Sequence, residues 1–146
     1  MTRNKAKSLL INSVRRVKIS LFYLESGLID EARKEIQKSW REVISALLIL
    51  NLYSIVEDNK DREIIHYSVP RSKIFSISKS LEDRGYKDLV KISSMYFSSL
   101  QELPKSEIKV LISALADEEI MHIKEWFSEI WDEKLDEMLN EVKIRR

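Results

Sequence analysis

Apolar positions recur every three or four residues from the start of the chain. Leu10, Val14, Val17, Leu21, Leu24 and Leu28 form one stripe and predict a first helix from about Lys5 to Ser26. Gly27 is placed to stop it, because glycine takes the left-handed conformation that closes a helix. Asp30 then stands where a second helix, roughly Glu31 to Val56, would be capped. Its first half is amphipathic through Ile36, Trp40 and Val43. From there Ile44, Leu47, Leu48, Ile49, Leu50, Leu52, Tyr53, Ile55 and Val56 cover nearly the whole circumference. A helix apolar all round is enclosed by neighbours, so this segment is expected at the centre, with Ile44, Leu47, Leu50 and Tyr53 among the most buried residues.

Glu57 to Pro70 reads as the one extended connection, and its Ile64-Ile65-His66-Tyr67 fits a short strand or a helical turn. A third helix is expected over about Lys73 to Arg84, with Ser72 as cap and Gly85 as stop, and a fourth over Lys87 to Leu103. After Pro104 the segment Glu107 to Val142 is one long helix, or two divided near Asp117. The pattern as a whole predicts an all-α fold: a compact antiparallel bundle of four to six helices spanning residues 1–146 as one domain.

Composition agrees. Apolar residues make up 44% and charged residues 34% of the 146 positions, a globular balance. Two glycines and two prolines are too few for the turns of a sheet protein. The absence of cysteine excludes a disulfide scaffold, a thiolate zinc site and a thiol nucleophile. The longest apolar-rich run, Val43 to Val56, falls short of the roughly 20 residues of a membrane span. The basic start, Met1 to Lys7, is not followed by the apolar stretch of a signal peptide. A cytoplasmic protein without membrane contact is expected.

Residues 21–53 carry a more specific pattern. Leu24-Glu25-Ser26-Gly27 forms a Leu-x-x-Gly turn, Asp30-Glu31-Ala32 opens the next helix, and Lys38-Ser39-Trp40 supplies Lys-x-Trp before an apolar stretch. This stretch resembles the archaeal PaREP1 family, part of the broad HEPN class of helical domains. The resemblance implies a HEPN-like bundle of four or five helices, often dimeric, and a role as a nuclease, toxin or nucleic-acid-associated module. HEPN nucleases carry Arg, four to six residues, then His. Here only Glu63, Ile64 and Ile65 separate Arg62 from His66, so the nuclease motif is not met and no ribonuclease activity is expected from that pair.

Both histidines lie in Glu-x-x-His, Glu63 to His66 and Glu119 to His122. Di-iron bundle proteins use that pairing twice, with a further Glu from each of two other helices. Glu119 also falls within the apolar stripe of Ile112, Leu115, Ile123, Trp126 and Ile130, where a carboxylate needs a partner or a raised pKa. The first copy sits in the extended connection and bridging glutamates such as Glu35 or Glu102 have no sequence support. The expectation is therefore a partly exposed Glu and His at the core's edge, paired with Lys or Arg, with no metal and no cofactor.

Charge is unevenly spread. Residues 1–18 hold Arg3, Lys5, Lys7, Arg15, Arg16 and Lys18 and no acid, whereas residues 117–141 hold ten acids against Lys124 and Lys134. The basic set is a candidate phosphate-tracking face. With no stacking aromatics between the cations and a net charge of only +1, a solvated face balanced by the acidic last helix is the favoured reading. Trp126, Phe127 and Trp131 cluster in the last segment, and such aromatics are enriched at interfaces. The function these readings favour is a non-catalytic helical interaction module that forms a homodimer, with protein or RNA as a further partner.

Overall fold

The computed structural model describes residues 2–51 and 69–145. The predicted connection from Glu57, including Arg62, Glu63, His66 and the strand or turn at residues 64–67, lies outside them, as does Tyr53.

Helix α1 (Thr2–Glu25) and helix α2 (Ile29–Leu50) form an antiparallel hairpin. The turn between them is chemically determined. Gly27 takes φ 78°, Leu28 N–H donates to the Tyr23 carbonyl at 2.9 Å, and Gly27 N–H donates to that of Leu24 at 3.2 Å. These two bonds satisfy the end of α1 and reverse the chain. Asp30 does not cap α2. It lies in the first turn, where its charge meets the positive end of the helix dipole.

A 3-10 turn, Arg71–Lys73, follows Pro70 and leads into α3 (Ile74–Glu82). Gly85, at φ 107°, closes α3 with the same bond pattern as Gly27. Helix α4 (Leu89–Ser98) is shorter than the expected Lys87 to Leu103 at both ends: left-handed Asp88, at φ 64°, delays its start, and it stops at Ser98, ahead of Pro104. Helix α5 (Lys105–Trp126) starts directly after Pro104, and α6 (Glu133–Arg145) completes the chain. Asp117 does not divide the last segment, since it lies inside α5. The break falls at residues 127–132, where Phe127 is fully buried and Asp132 Oδ1 accepts from Leu135 N–H at 2.9 Å to start α6. Among the described residues there are six α-helices and no strand. None of those helices is long and apolar enough to cross a membrane.

One continuous core runs through all six helices. The second half of α2 is enclosed as its pattern implied, with Ile44, Leu47, Leu48 and Ile49 buried, while Leu50 at its end is half-buried. Serines line the closest helix contacts and are hydrogen-bonded across them. Ser20 Oγ on α1 donates to the Ala32 carbonyl on α2 at 2.8 Å, and Ser39 Oγ on α2 donates to the Ser13 carbonyl on α1 at 2.9 Å. Trp40 Nε1–H donates to Ser93 Oγ on α4 at 3.0 Å, which in turn pairs with Ser78 Oγ on α3 at 2.8 Å. Small size lets the helices approach, and the hydroxyls leave no buried polar atom of their own unpaired.

Candidate functional site

The basic residues of α1 face the acids of the rest of the chain. Arg3 pairs with Glu129 at 2.5 Å, Lys7 with Asp132, and Lys18 with Glu141 at 2.8 Å. Arg16 bridges Glu42 and Glu35 on α2, the latter at 3.1 Å. Lys5 also has a partner, and Arg15 is exposed. Lys7 holds the Asp132 carboxyl below its ordinary range, and Lys18 does the same for Glu141. Of the six cations of the candidate phosphate face, Arg3, Lys7, Arg16 and Lys18 are thus already neutralised within the chain. The geometry is a charge balance of the first helix against α2, the segment between α5 and α6, and α6 itself.

Glu119 and His122 diverge. On α5 they are three residues apart, and the helix turns Glu119 inward to α2 while His122 lies beside the start of α4. Glu119 is fully buried, and burial pushes its carboxyl up to about 8, partly opposed by Ser39. Its Oε2 lies 2.8 Å from Ser39 Oγ. The Ser39 hydroxyl has a single proton, and the Ser13 carbonyl is also in reach of it. Both contacts are satisfied together only when Glu119 brings its own proton. A neutral carboxyl then donates to Ser39, which donates to Ser13. Oε1 has no hydrogen-bond partner among the described residues, and the Glu119 side chain lines a cavity of about 10 Å³ whose other walls are Val14, Val17, Ile120, Ile123, Leu139 and Val142. A neutral group bears that position and a charged one does not. Glu119 is thus a fully buried core acid bonded to Ser39, not the partly exposed partner of a Lys or Arg that its pattern suggested, and its side chain diverges from that of His122.

His122 has other neighbours. Its Nε2 lies 3.2 Å from Asp88 Oδ2 and 3.5 Å from Glu118 Oε2. One donor atom from each of the three residues falls within 4.8 Å of the others. Glu118 precedes His122 by four residues on α5, so both side chains share one face. The ring of His122 stacks on Trp126, with centroids 5.2 Å apart and planes 23° from parallel. Trp126 is itself fixed by its Nε1–H donating to the Lys87 carbonyl at 3.0 Å and by an edge contact with Trp40. Lys91 Nζ holds the other Glu118 oxygen, Oε1, at 3.0 Å. Glu118 Oε2 and His122 Nε2 are buried atoms without a hydrogen-bond partner.

Asp88 completes the group because it is spared its usual task. An aspartate at an N-cap ordinarily accepts from the first helical N–H groups. Here Glu82 Oε2 takes Val90 N–H at 2.5 Å, and Asp88 makes no side-chain cap bond. Sequence reasoning found His122 but missed Asp88 and Glu118. The Glu118-to-His122 spacing was available as a signal, whereas Asp88 reaches the site only through the packing of α4 on α5.

A shallow groove of about 650 Å³ runs between the end of α1 and the first half of α5, lined by Leu24, Val110 and Ala114 with Glu25, Lys109 and Asp117 at its edges. Val110 in its wall is 69% exposed, and Met121, further along α5, is 67% exposed. The aromatic cluster expected at an interface is spent elsewhere. Trp126 and Phe127 are buried in the core, and Trp131 packs against it with its Nε1–H donating to Asp136 at 3.0 Å.

Comparison of the chain with protein-family models, with curated proteins and with solved structures finds no match.

Proposed function

We propose that this chain is a non-catalytic, cytoplasmic interaction module, a HEPN-like accessory bundle that pairs with a second copy of itself along the exposed side of α5. The observation that carries the reading is the exposure of Val110 and Met121 on a helix whose opposite side is core. Residues 110, 114, 117 and 121 fall on one line of the helix surface. A two-fold axis across that line is self-complementary, as closed dimers require. It sets Val110 against the partner's Met121, and Asp117 against the small Ala114 of the partner subunit. The resemblance of residues 21–53 to a class that is often dimeric supports the same reading. RNA is the less favoured partner, since Arg3, Lys7, Arg16 and Lys18 are engaged within the chain.

Light scattering on the purified protein tests this. A dimer is expected at micromolar concentration, reduced to a monomer by V110E together with M121E with an unchanged helical circular-dichroism spectrum, because both positions are exposed. Raised salt slows association by screening but leaves the dimer assembled. A monomeric wild type, or a dimer indifferent to both substitutions, refutes the surface. Nucleic acid that co-purifies with the chain and is released by salt would put RNA in the partner's place.

A further inference from the structure

We propose that Asp88, Glu118 and His122 form a binding site for one divalent transition-metal ion of the zinc and manganese class. The site stands independently of the dimer. Its donor set is one imidazole nitrogen and two carboxylates, a mixture that suits zinc or manganese better than the all-oxygen shells of calcium or magnesium. With a neutral imidazole the two carboxylates carry −2, which Lys91 offsets only in part, so the cluster keeps a net negative charge that attracts a cation. The spacing fits as well. Ligands bound at roughly 2.0–2.2 Å from a metal stand about 3.0–3.6 Å apart at adjacent positions. The 3.2 Å and 3.5 Å separations from His122 Nε2 fall in that range, and the Asp88 and Glu118 oxygens lie within 4.8 Å of each other.

Two of the ligands are held from behind, and the third is left free to turn toward them. Trp126 orients the imidazole by stacking, Lys91 anchors Glu118 through Oε1, and Glu82 relieves Asp88 of capping α4. What remains is Glu118 Oε2 and His122 Nε2, both buried and without a hydrogen bond among the described residues, with His122 Nε2 lying between Glu118 Oε2 and Asp88 Oδ2. Supports of this kind around a ligand set are what orient and tune a metal site. The Asp88 side chain is 47% exposed, which gives an ion access from solvent. A proton is the competing occupant: an imidazolium paired with the two carboxylates accounts for the same distances.

Calorimetric titration of the intact protein with zinc chloride, repeated with manganese chloride, separates the two. One ion per chain is expected, with a change in tryptophan fluorescence from the Trp126 stack and a raised melting temperature. His122→Ala, Glu118→Gln and Asp88→Asn should each weaken binding by about tenfold or more, the loss seen even for an outer partner of a metal ligand. Asp88→Asn keeps a residue that tolerates the left-handed backbone, so its loss of binding is not a loss of fold, and circular dichroism verifies this for all three. No binding at 100-fold excess of either ion overturns the site in favour of the proton. Binding with unchanged affinity in His122→Ala and Asp88→Asn overturns it too, as an adventitious ion elsewhere.

Discussion

Replacing Trp40 with alanine is expected to lower the free energy of unfolding by about 3–5 kcal/mol, the range for deleting a large aromatic from a packed core. Trp40 is fully buried and joins four helices at one point. From α2 it meets Trp126 of α5 edge-on, with ring centroids 5.7 Å apart, and its Nε1–H binds Ser93 of α4, which is paired with Ser78 of α3. Truncation removes the ring contact, the hydrogen bond and the volume together. Trp40→Phe keeps most of the volume and loses the N–H, so its loss should be smaller, about 1–2 kcal/mol. Urea denaturation of the three proteins measures both. A Trp40→Ala loss below about 1 kcal/mol would contradict the packing described.

The second large effect is a dependence of stability on pH that Glu119→Gln removes. Burial raises the Glu119 carboxyl from an ordinary 4.5 to about 8 in the folded chain. Below pH 4.5 the group is protonated whether the chain is folded or not, and it has no effect. Between about 4.5 and 8 the unfolded chain releases the proton and the folded chain keeps it, so stability falls as pH rises. Above 8 the loss levels off, at roughly 3–5 kcal/mol for a shift of this size. Glutamine cannot ionise, so the variant should match the wild type near pH 4.5 and exceed it increasingly up to pH 9. Urea midpoints at pH 5, 7 and 9, taken with a chelator present, give the comparison, and other titrating groups cancel in the difference. A difference that stays constant with pH would show that Glu119 is not held neutral.

Glu119 also shows which parts of this molecule were readable in its sequence. A carboxylate in the apolar stripe of α5 was visible as an anomaly, and the structure resolves it in the two ways available to such a group, a partner and a raised pKa. The enclosure of Ile44, Leu47 and Leu48 was likewise readable, because a helix apolar on every side has no face to give to water. The break between α5 and α6 was not. Residues 127–132 contain neither glycine nor proline, and the capping Asp132 is one acid among many. Burial of Phe127 against the core, a tertiary event, ends the helix there. The same limit hid Asp88, which lies 30 residues before Glu118 and 34 before His122 in the chain. The aromatic cluster misled in the opposite direction. Trp126 and Phe127 looked like surface anchors, but α5 turns them inward.

The serine bonds across α1 and α2 bear on how the hairpin can move. Apolar side chains alone would tolerate a slip of one helical turn, about 5.4 Å, because a stripe repeated every three or four residues nearly matches itself after that step. The bonds from Ser20 to Ala32 and from Ser39 to Ser13 do not repeat in this way. They run in opposite directions across the pair, so one turn of sliding breaks both at once and strands buried hydroxyls beside hydrocarbon, at a cost of about 1–3 kcal/mol for each unpaired group. Only one alignment of the two helices is open to the folded chain, and the hairpin acts as a fixed beam rather than a ratchet.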